Sequence, residues 1–600
     1  MQGWGKIGLV LVAIAFLVVV ISLFINLPIW IIPTDEPDIF SPPPTRTLDP
    51  APSAESTFPS IKLTPSPSAD KEAQQAVEAT GIAEDYSNLE WHQDAHDPAR
   101  TGYIQEEPVQ PWRLLWTWNG PDPQGGAGDH FYDAPPEARS VTGDCCIFVP
   151  AGDQGLFALQ KDTGRLVWNI SPTAFNASPA YDLQTGYLFA GGENGVLYKI
   201  DPRSGEISAE YHAGAPLDKA LLLAGGYAYA VSVDGGLHKV ELDEMTAIWV
   251  YSHSSAASTP AAYSSRYGLI IYTTAVLQVH AVDSSNGVAR WVTQPSSLSA
   301  DEGPYSFEGY WPVVADDTGL VFVRLNLGMS ALWSGPSEKN VYPLDNHATR
   351  QYLIENPRLQ NLFALRLEDG QPAFIPAVGY GGVETTDGSI KELAGGPVPV
   401  IRRFEDGSEV AYSFFRSEQG DPPDGRWDSH IGEMVLDSQT FPGLQAGDLR
   451  FIRFENSYSH ITDEQCPISM AGDTIFHAHW GASESVRITD RSAELGLSYH
   501  DAIQTQPHPV VIRRMQACSS YDPIEHWTSC DLILYSDGRT WKGPGWWVYW
   551  DVLDPPTPAA NAYSEGHLPR YTYVSDGLVI ISGNGGELMV FAHSGQTPRQ

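Results

Sequence analysis

Six hundred residues with 35 Lys and Arg against 73 Asp and Glu carry a formal charge of −38. That argues against nucleic acid or an anionic lipid surface as partner, because both reward basic patches. The apolar fraction of 42% is that of an ordinary globular protein, and 18 Trp with 27 Tyr suit a core rich in strands.

The chain opens with Ile7 to Ile25, 19 residues interrupted only by Gly8 and Ser22. Such a run is long enough to span a bilayer. Lys6 precedes it, and Asp35, Glu36 and Asp38 follow, which favours a cytoplasmic N-terminus. No small-x-small site follows the run closely, and no cysteine is placed there for lipidation. Residues 1–32 are therefore expected to be an uncleaved transmembrane anchor, with a cleaved signal peptide as the alternative. Both place the rest of the chain outside the cytoplasm. Residues 33–90 are rich in Pro, Ser and Thr, as in Ser41-Pro-Pro-Pro-Thr45. They cannot bury enough apolar surface to offset their ordering entropy and read as a disordered spacer.

From residue 91 to 600 the organising feature is a repeated phrase. It reads Ala158-Leu-Gln-Lys-Asp-Thr163-Gly164-Arg-Leu-Val-Trp168 and returns as Lys199-Ile-Asp201-Pro-Arg-Ser-Gly205. Degenerate and clear copies follow at Lys239 to Trp249 and at Ala281-Val-Asp283-Ser-Ser-Asn-Gly287-Val-Ala-Arg-Trp291. Gly164, Gly205 and Gly287 stand 41 and then 82 residues apart. The second copy reads as strand (Tyr187 to Ala190), glycine-rich turn, strand (Val196 to Ile200), Pro/Gly turn and outer strand (Glu206 to Tyr211). A period of about 40 residues in such a chain predicts a β-propeller with one four-stranded blade per repeat. The Trp of the phrase is expected to wedge against the next blade. Trp168 and Trp291 should therefore be buried at blade junctions.

Apparent blades begin near residues 136, 177, 216, 259, 310, 395, 466 and 569. They predict an all-β, eight-bladed propeller, with seven blades as the alternative. The segment Trp112 to Trp118 is expected to supply the last strand of the final blade and so close the ring. Residues 326–360 and 416–450 read as polar, Gly/Pro-rich loops, and 491–565 as an extra β-rich insert.

Several constellations are candidates for chemistry. In a strand His477 and His479 face one side, as two imidazoles on a metal would. His430, Glu433 and His460 are nearby in sequence, but the spacing identifies no third ligand, and two ordinary inner-strand histidines are the alternative. Trp541-Lys-Gly-Pro-Gly-Trp546-Trp547-Val-Tyr549-Trp550 reads either as packing of the insert or as a stacking platform. Gly583-Asn-Gly-Gly586 lacks the helix a phosphate loop needs and reads as a hairpin turn. Of five cysteines, Cys518 and Cys530 are the best local disulfide pair, and the odd count leaves at least one thiol unpaired. No catalytic, cofactor-binding or metal residue is assigned.

The phrase at 158–168, with Gln160 for Asp, and at 281–291, with Asn286 for Thr, resembles the pyrroloquinoline-quinone-like (PQQ-like) propeller repeat Ala-x-Asp-x-x-Thr-Gly-x-x-x-Trp. The opening Trp91-His92-Gln-Asp-Ala-His96-Asp97-Pro98-Ala-Arg-Thr101-Gly102 is similar to the lead-in of such propellers. The family includes quinoprotein dehydrogenases and scaffold propellers with no cofactor, such as the barrel-assembly lipoprotein. The resemblance implies a vicinal disulfide at Cys145-Cys146, as above the cofactor in quinoprotein alcohol dehydrogenases. Against it, Ile147-Phe-Val149 continues as a strand, which points adjacent side chains apart. A catalytic Asp, a Ca²⁺ site and a Trp floor are not recognisable by motif. The expectation is thus a monomeric, membrane-anchored scaffold without cofactor, whose rim docks a cell-envelope protein or glycan. An exported quinoprotein oxidoreductase is the alternative, followed by metal-assisted hydrolysis through His477 and His479.

Overall fold

Short antiparallel sheets follow one another along the chain at the spacing of the repeat. The computed structural model describes residues 89–593, apart from 109–111, 119, 122–133, 136–137, 328–345, 379–397, 405, 419–426, 438–442, 452, 455–466, 480–481, 491–498, 505–511, 517–526, 536–539, 551–557, 565–568 and 584–587. Eight sheets form the blades of a propeller. Their first strands are Val141–Gly143, Ala180–Tyr181, Leu222–Ala224, Ala262–Ser264, Val313–Ala315, Val400–Arg403, Ser469–Ala471 and Pro569–Ser575, numbered here as blades 1 to 8. Successive first strands lie against one another from blade 1 to blade 8. Trp112–Trp118 pairs antiparallel with Leu588–His593 as the outer strand of blade 8, as expected. One core joins blades 8 and 1, with Trp116, Ile147, Phe157, Tyr571 and Ile581 among its members, so the ring closes.

The repeat phrase works as a joint between neighbours. Trp168, in the fourth strand of blade 1, lies over Gly205 of blade 2 and donates Nε1–H to the Pro202 carbonyl at 2.9 Å. Trp249 of blade 3 lies over Gly287 and donates to Ser284 O at 3.2 Å. Trp291 of blade 4 lies over Gly370 of blade 5 and donates to Leu367 O at 2.8 Å. Trp116 of blade 8 lies over Gly164 of blade 1 and donates to Lys161 O at 2.7 Å. A Cβ on Gly205 would stand 2.8 Å from the Trp168 ring, and its φ of +74° is left-handed. Glycine is therefore required there both for space and for backbone conformation.

The joint between blades 2 and 3 is built differently. Ala209 sits opposite Lys199, the register Trp249 takes opposite Lys239. The glycine of the facing turn is replaced by Met245 at φ +51°. Met245 is buried, and Ala209 packs against the same core. A left-handed non-glycine residue costs about 1 kcal/mol, and the flexible thioether fills the space an indole would take. Ala209→Trp alone is expected to destabilise by about 1–3 kcal/mol through overpacking. Met245→Gly alone should cost about 2–5 kcal/mol. The double variant, which restores the pairing of the other joints, should recover at least about 1 kcal/mol relative to their sum. Chemical denaturation of the four proteins reads this directly, and simple additivity would overturn it.

Two loop expectations need correction. Residues 346–355 form a helix, not a loop. They contain neither Gly nor Pro, Leu353 is buried, and Asn346 exchanges hydrogen bonds with the Leu449 backbone at 2.8 and 2.9 Å. Residues 416–450 hold the end of strand Glu409–Glu418, all of Trp427–Val435 and the start of Leu449–Phe451, all of blade 6. Four of the eight Gly and Pro in this window fall at 420–425 and three more at 442–447, between strands, so the average over the window hid the strands. Within 491–565, Tyr499–Gln504 extends blade 7, while Ile512–Gln516, Trp527–Tyr535, Thr540–Trp550 and Pro558–Ser564 form a separate four-stranded sheet. Among the described residues no helix is long and apolar enough to cross a membrane; the run Ile7 to Ile25 and the spacer lie outside them.

Candidate functional site

The segment 89–104 visits the first strand of every blade. Leu89 O accepts from Asp576 N of blade 8, Trp91 O from Thr142 N of blade 1, and His92 O from Tyr181 N of blade 2. Gln93 bonds both ways with the Leu223 backbone of blade 3. Pro98 O accepts from Tyr263 N of blade 4, Ala99 O from Val314 N of blade 5, Thr101 O from Ile401 N of blade 6, and Gly102 O from Met470 N of blade 7. First strands end with free inner edges, and this segment satisfies one donor on each. It turns tightly enough because Ala95, His96, Arg100 and Gly102 all take positive φ, at 56°, 76°, 55° and 67°. Three non-glycine residues so held are conformationally costly and persist only where the surroundings over-determine them.

Inside this ring lies a buried charge cluster. Asp94 Oδ2 is 3.0 Å from Arg139 Nη1 and 3.4 Å from Arg100 Nη1, and the Asp94 and Arg100 side chains are wholly buried. Arg100 also donates to the carbonyls of Ala220 and Ala261, tying blades 3 and 4 together. The Arg139 guanidinium lies 4.6 Å from the Trp311 ring centre, a cation–π contact. Trp91 packs between His96 at 5.2 Å, Tyr573 at 5.2 Å and Tyr571 at 5.9 Å. Burial, aided by neighbouring His96, pushes the His92 imidazole down to about 4, so it is neutral near pH 7. Burial, with Asp576 and Glu90 adding repulsion, pushes the Glu106 carboxyl up to about 7.

None of the described sequence candidates contributes a side chain to this cluster. His477 and His479 stand at alternate positions of Thr474–His479, opposite Glu484 and Ala482; their side chains lie outside the described residues, as do those of His430 and His460. Glu433 faces Arg450 at 3.4 Å and accepts from Tyr412 Oη at 3.1 Å. Trp541 to Trp550 falls on one strand of the separate sheet. Cys518 lies outside the described residues. Cys145 and Cys146 form a vicinal disulfide, against the strand argument. Cys145 belongs to the turn, with Asp144 at φ +45°, and the strand begins only at Cys146. The two side chains are thus not consecutive strand residues. The sequence pattern places Asp94 and Arg100 only within the lead-in and Trp311 only before a blade's first strand, and gives Arg139 no role. Asp94 and Arg100, six residues apart in the segment with Asp97 between them, were the one available signal.

The family described as outer membrane protein assembly factor BamB matches residues 147–375, from the second strand of blade 1 to the end of blade 5. The chain carries PQQ-like propeller repeats. The BamB of Shewanella oneidensis is 24% identical over 225 residues, covering 33% of this chain and 55% of that protein. The chain thus spans about half the length of the curated relative it matches. Solved structures of similar form include BamB from Moraxella catarrhalis, with TM-score 0.39, 10% identity and coverage of 81% of this chain and 99% of that one. Another is the quinohemoprotein alcohol dehydrogenase ADHIIG from Pseudomonas putida HK5, with TM-score 0.44, 10% identity and coverage of 86% and 82%. Some PQQ-like propellers hold a quinone with Ca²⁺, and the described residues do not fit that group. The disulfide packs against the core shared by Val141, Phe148, Trp168 and Tyr181 at the junction of blades 1 and 2. Asp94 is already engaged by two arginines. Among the described residues no three His, Cys, Asp or Glu side chains are grouped to share a metal ion.

Proposed function

We propose that this PQQ-like propeller is a non-catalytic scaffold of the cell envelope that docks another envelope protein on its rim. The supporting observation is the occupied axis. Residues 89–104 bond to all eight blades, and at the centre Arg100 and Arg139 share the Asp94 carboxylate, which leaves outer strands and loops as the surfaces open to a partner. Leu166 and Val167 of blade 1, Ile248 and Val250 of blade 3, and Val292 of blade 4 are large apolar side chains exposed on fourth strands. The matched relative is named as an assembly factor, which agrees with a docking role. The run at residues 7–25 anchors the chain and the Pro/Ser/Thr-rich spacer holds the propeller off the membrane.

Photo-crosslinkers at Ile248, Val250 and Val292 in intact cells should yield a discrete adduct with one envelope protein. One at Phe148, which is buried, should yield none. Failure of every rim position to crosslink would sink the docking reading. The vicinal disulfide is the single observation favouring an exported quinoprotein oxidoreductase. Purified chain given pyrroloquinoline quinone and Ca²⁺ is expected to show no dye-linked alcohol or sugar oxidation, and robust turnover would establish that second reading instead.

A further inference from the structure

Two consecutive blade joints carry the same pair of residues at the same register. His238 and His280 are each the second residue of their blade's third strand, Leu237–Glu241 and Val279–Asp283. The hydroxyl of Tyr211, from the fourth strand of blade 2, lies 2.9 Å from His238 Nδ1. The hydroxyl of Tyr251, from the fourth strand of blade 3, lies 3.0 Å from His280 Nδ1. A third imidazole, His253, sits in the linker into blade 4 and stacks on His280 with ring centres 4.4 Å apart and planes at 23°. Tyr272 covers both, at 5.8 and 5.5 Å, and its hydroxyl donates to Gly235 O of blade 3 at 3.3 Å.

The linker is fastened to this stack. Ser255 N–H donates to His253 Nδ1 at 3.1 Å, which requires that nitrogen to be unprotonated. A backbone N–H cannot reverse its role, so a proton on Nδ1 breaks the bond outright. A charge on His280 or His253 also faces a second imidazole at stacking distance. Facing His280 are Tyr251, Tyr272 and His253; facing His253 are Tyr251, Tyr272 and His280; facing His238 are Tyr211 and Asp234. Asp234 is itself engaged by the Ser232 hydroxyl at 2.6 Å and by Gly236 N–H at 3.3 Å.

We propose that the joints between blades 2, 3 and 4 form an acid-sensitive latch, closed by neutral His238, His253 and His280 and released, with the linker at 252–261, when they take up protons. Burial lowers all three imidazoles; His280 falls to about 4, burial first and the neighbouring His253 second, while Asp234 partly opposes the shift at His238. The sign follows from linkage. The opened joint binds protons at the ordinary 6.5, whereas in the closed joint His280 does so only near 4 and His238 and His253 are also lowered, so closure is fully favoured above 6.5 and is lost as pH falls below it.

Hydrogen exchange on the full chain, corrected for intrinsic rates, tests this at about pH 7.5 and about pH 5. Amides of 250–258 and 276–282 should open about tenfold more at the lower pH, while the Leu156–Gln160 strand of blade 1 changes little. In His238→Asn/His253→Asn/His280→Asn the amide oxygen replaces Nδ1 as acceptor but does not titrate, so protection at about pH 7.5 should persist and the acid response vanish. Equal acceleration in all blades, no acceleration, or an unchanged response in the triple variant would each overturn the latch. Should that variant fail to fold, histidine NMR of the unsubstituted chain decides: the three rings titrating at or above 6.5 would refute it, and titration well below would support it.

Discussion

Replacing Trp168 by alanine is expected to destabilise the propeller by about 3–5 kcal/mol, the range for truncating a buried aromatic whose cavity cannot collapse. The indole is 7% exposed, packs with Phe148 at 5.9 Å, and spans two blades, so no side chain within its own sheet can fill the space. The loss has three parts: on the order of 200 Å² of apolar burial, the Nε1–H bond to Pro202, and a groove opened over Gly205. Trp168→Phe should cost less, about half as much, because it keeps most of the apolar volume and loses the donor. Equilibrium unfolding of Trp168→Ala, Trp168→Phe and the parent chain measures the differences. A cost under about 1 kcal/mol for alanine would show that the joint is dispensable. Trp291, 9% exposed over Gly370, should behave alike, whereas Ala209 marks a joint already built without an indole.

Asp94→Asn is the second large effect, again about 3–5 kcal/mol, the cost of removing one partner from a buried ion pair. The substitution barely changes shape. It leaves two guanidiniums, Arg100 and Arg139, without their shared carboxylate, and Arg100 has no room to reach water. Because Arg100 also holds the Ala220 and Ala261 carbonyls, first protection should be lost in blades 3 and 4. Asp153→Asn, on an exposed turn, should stay within about 0.5 kcal/mol and serves as control. Denaturation midpoints with hydrogen exchange read both effects. If Asp94→Asn matched the control, the axial cluster would be incidental to the fold.

The fold was legible because its signal is local and periodic. A phrase of about eleven residues, repeated every 41, determines turn, strand and docking Trp within each copy. The eight blades follow from the apparent blade starts spaced along the chain, and the closing strand Trp112–Trp118 from the apolar pattern of that segment. Where the repeat decays the reading failed: windows rich in Gly and Pro at 326–360 and 416–450 concealed a helix and strands, because composition averages over what order distinguishes. The disulfide between Cys145 and Cys146 was misjudged for a related reason. One residue of register decides whether a pair is two strand neighbours or a turn and a strand, and only the backbone sets that register. Apart from Asp94 and Arg100 in the lead-in, the axial cluster was beyond the sequence. Asp94, Arg139 and Trp311 are separated by up to 217 positions and meet only because a ring brings the first strand of every blade to one axis. The same holds for Tyr211 with His238 and Tyr251 with His280. Local spacing determines what a blade is, and closure of the ring decides which distant side chains share its buried centre and its joints.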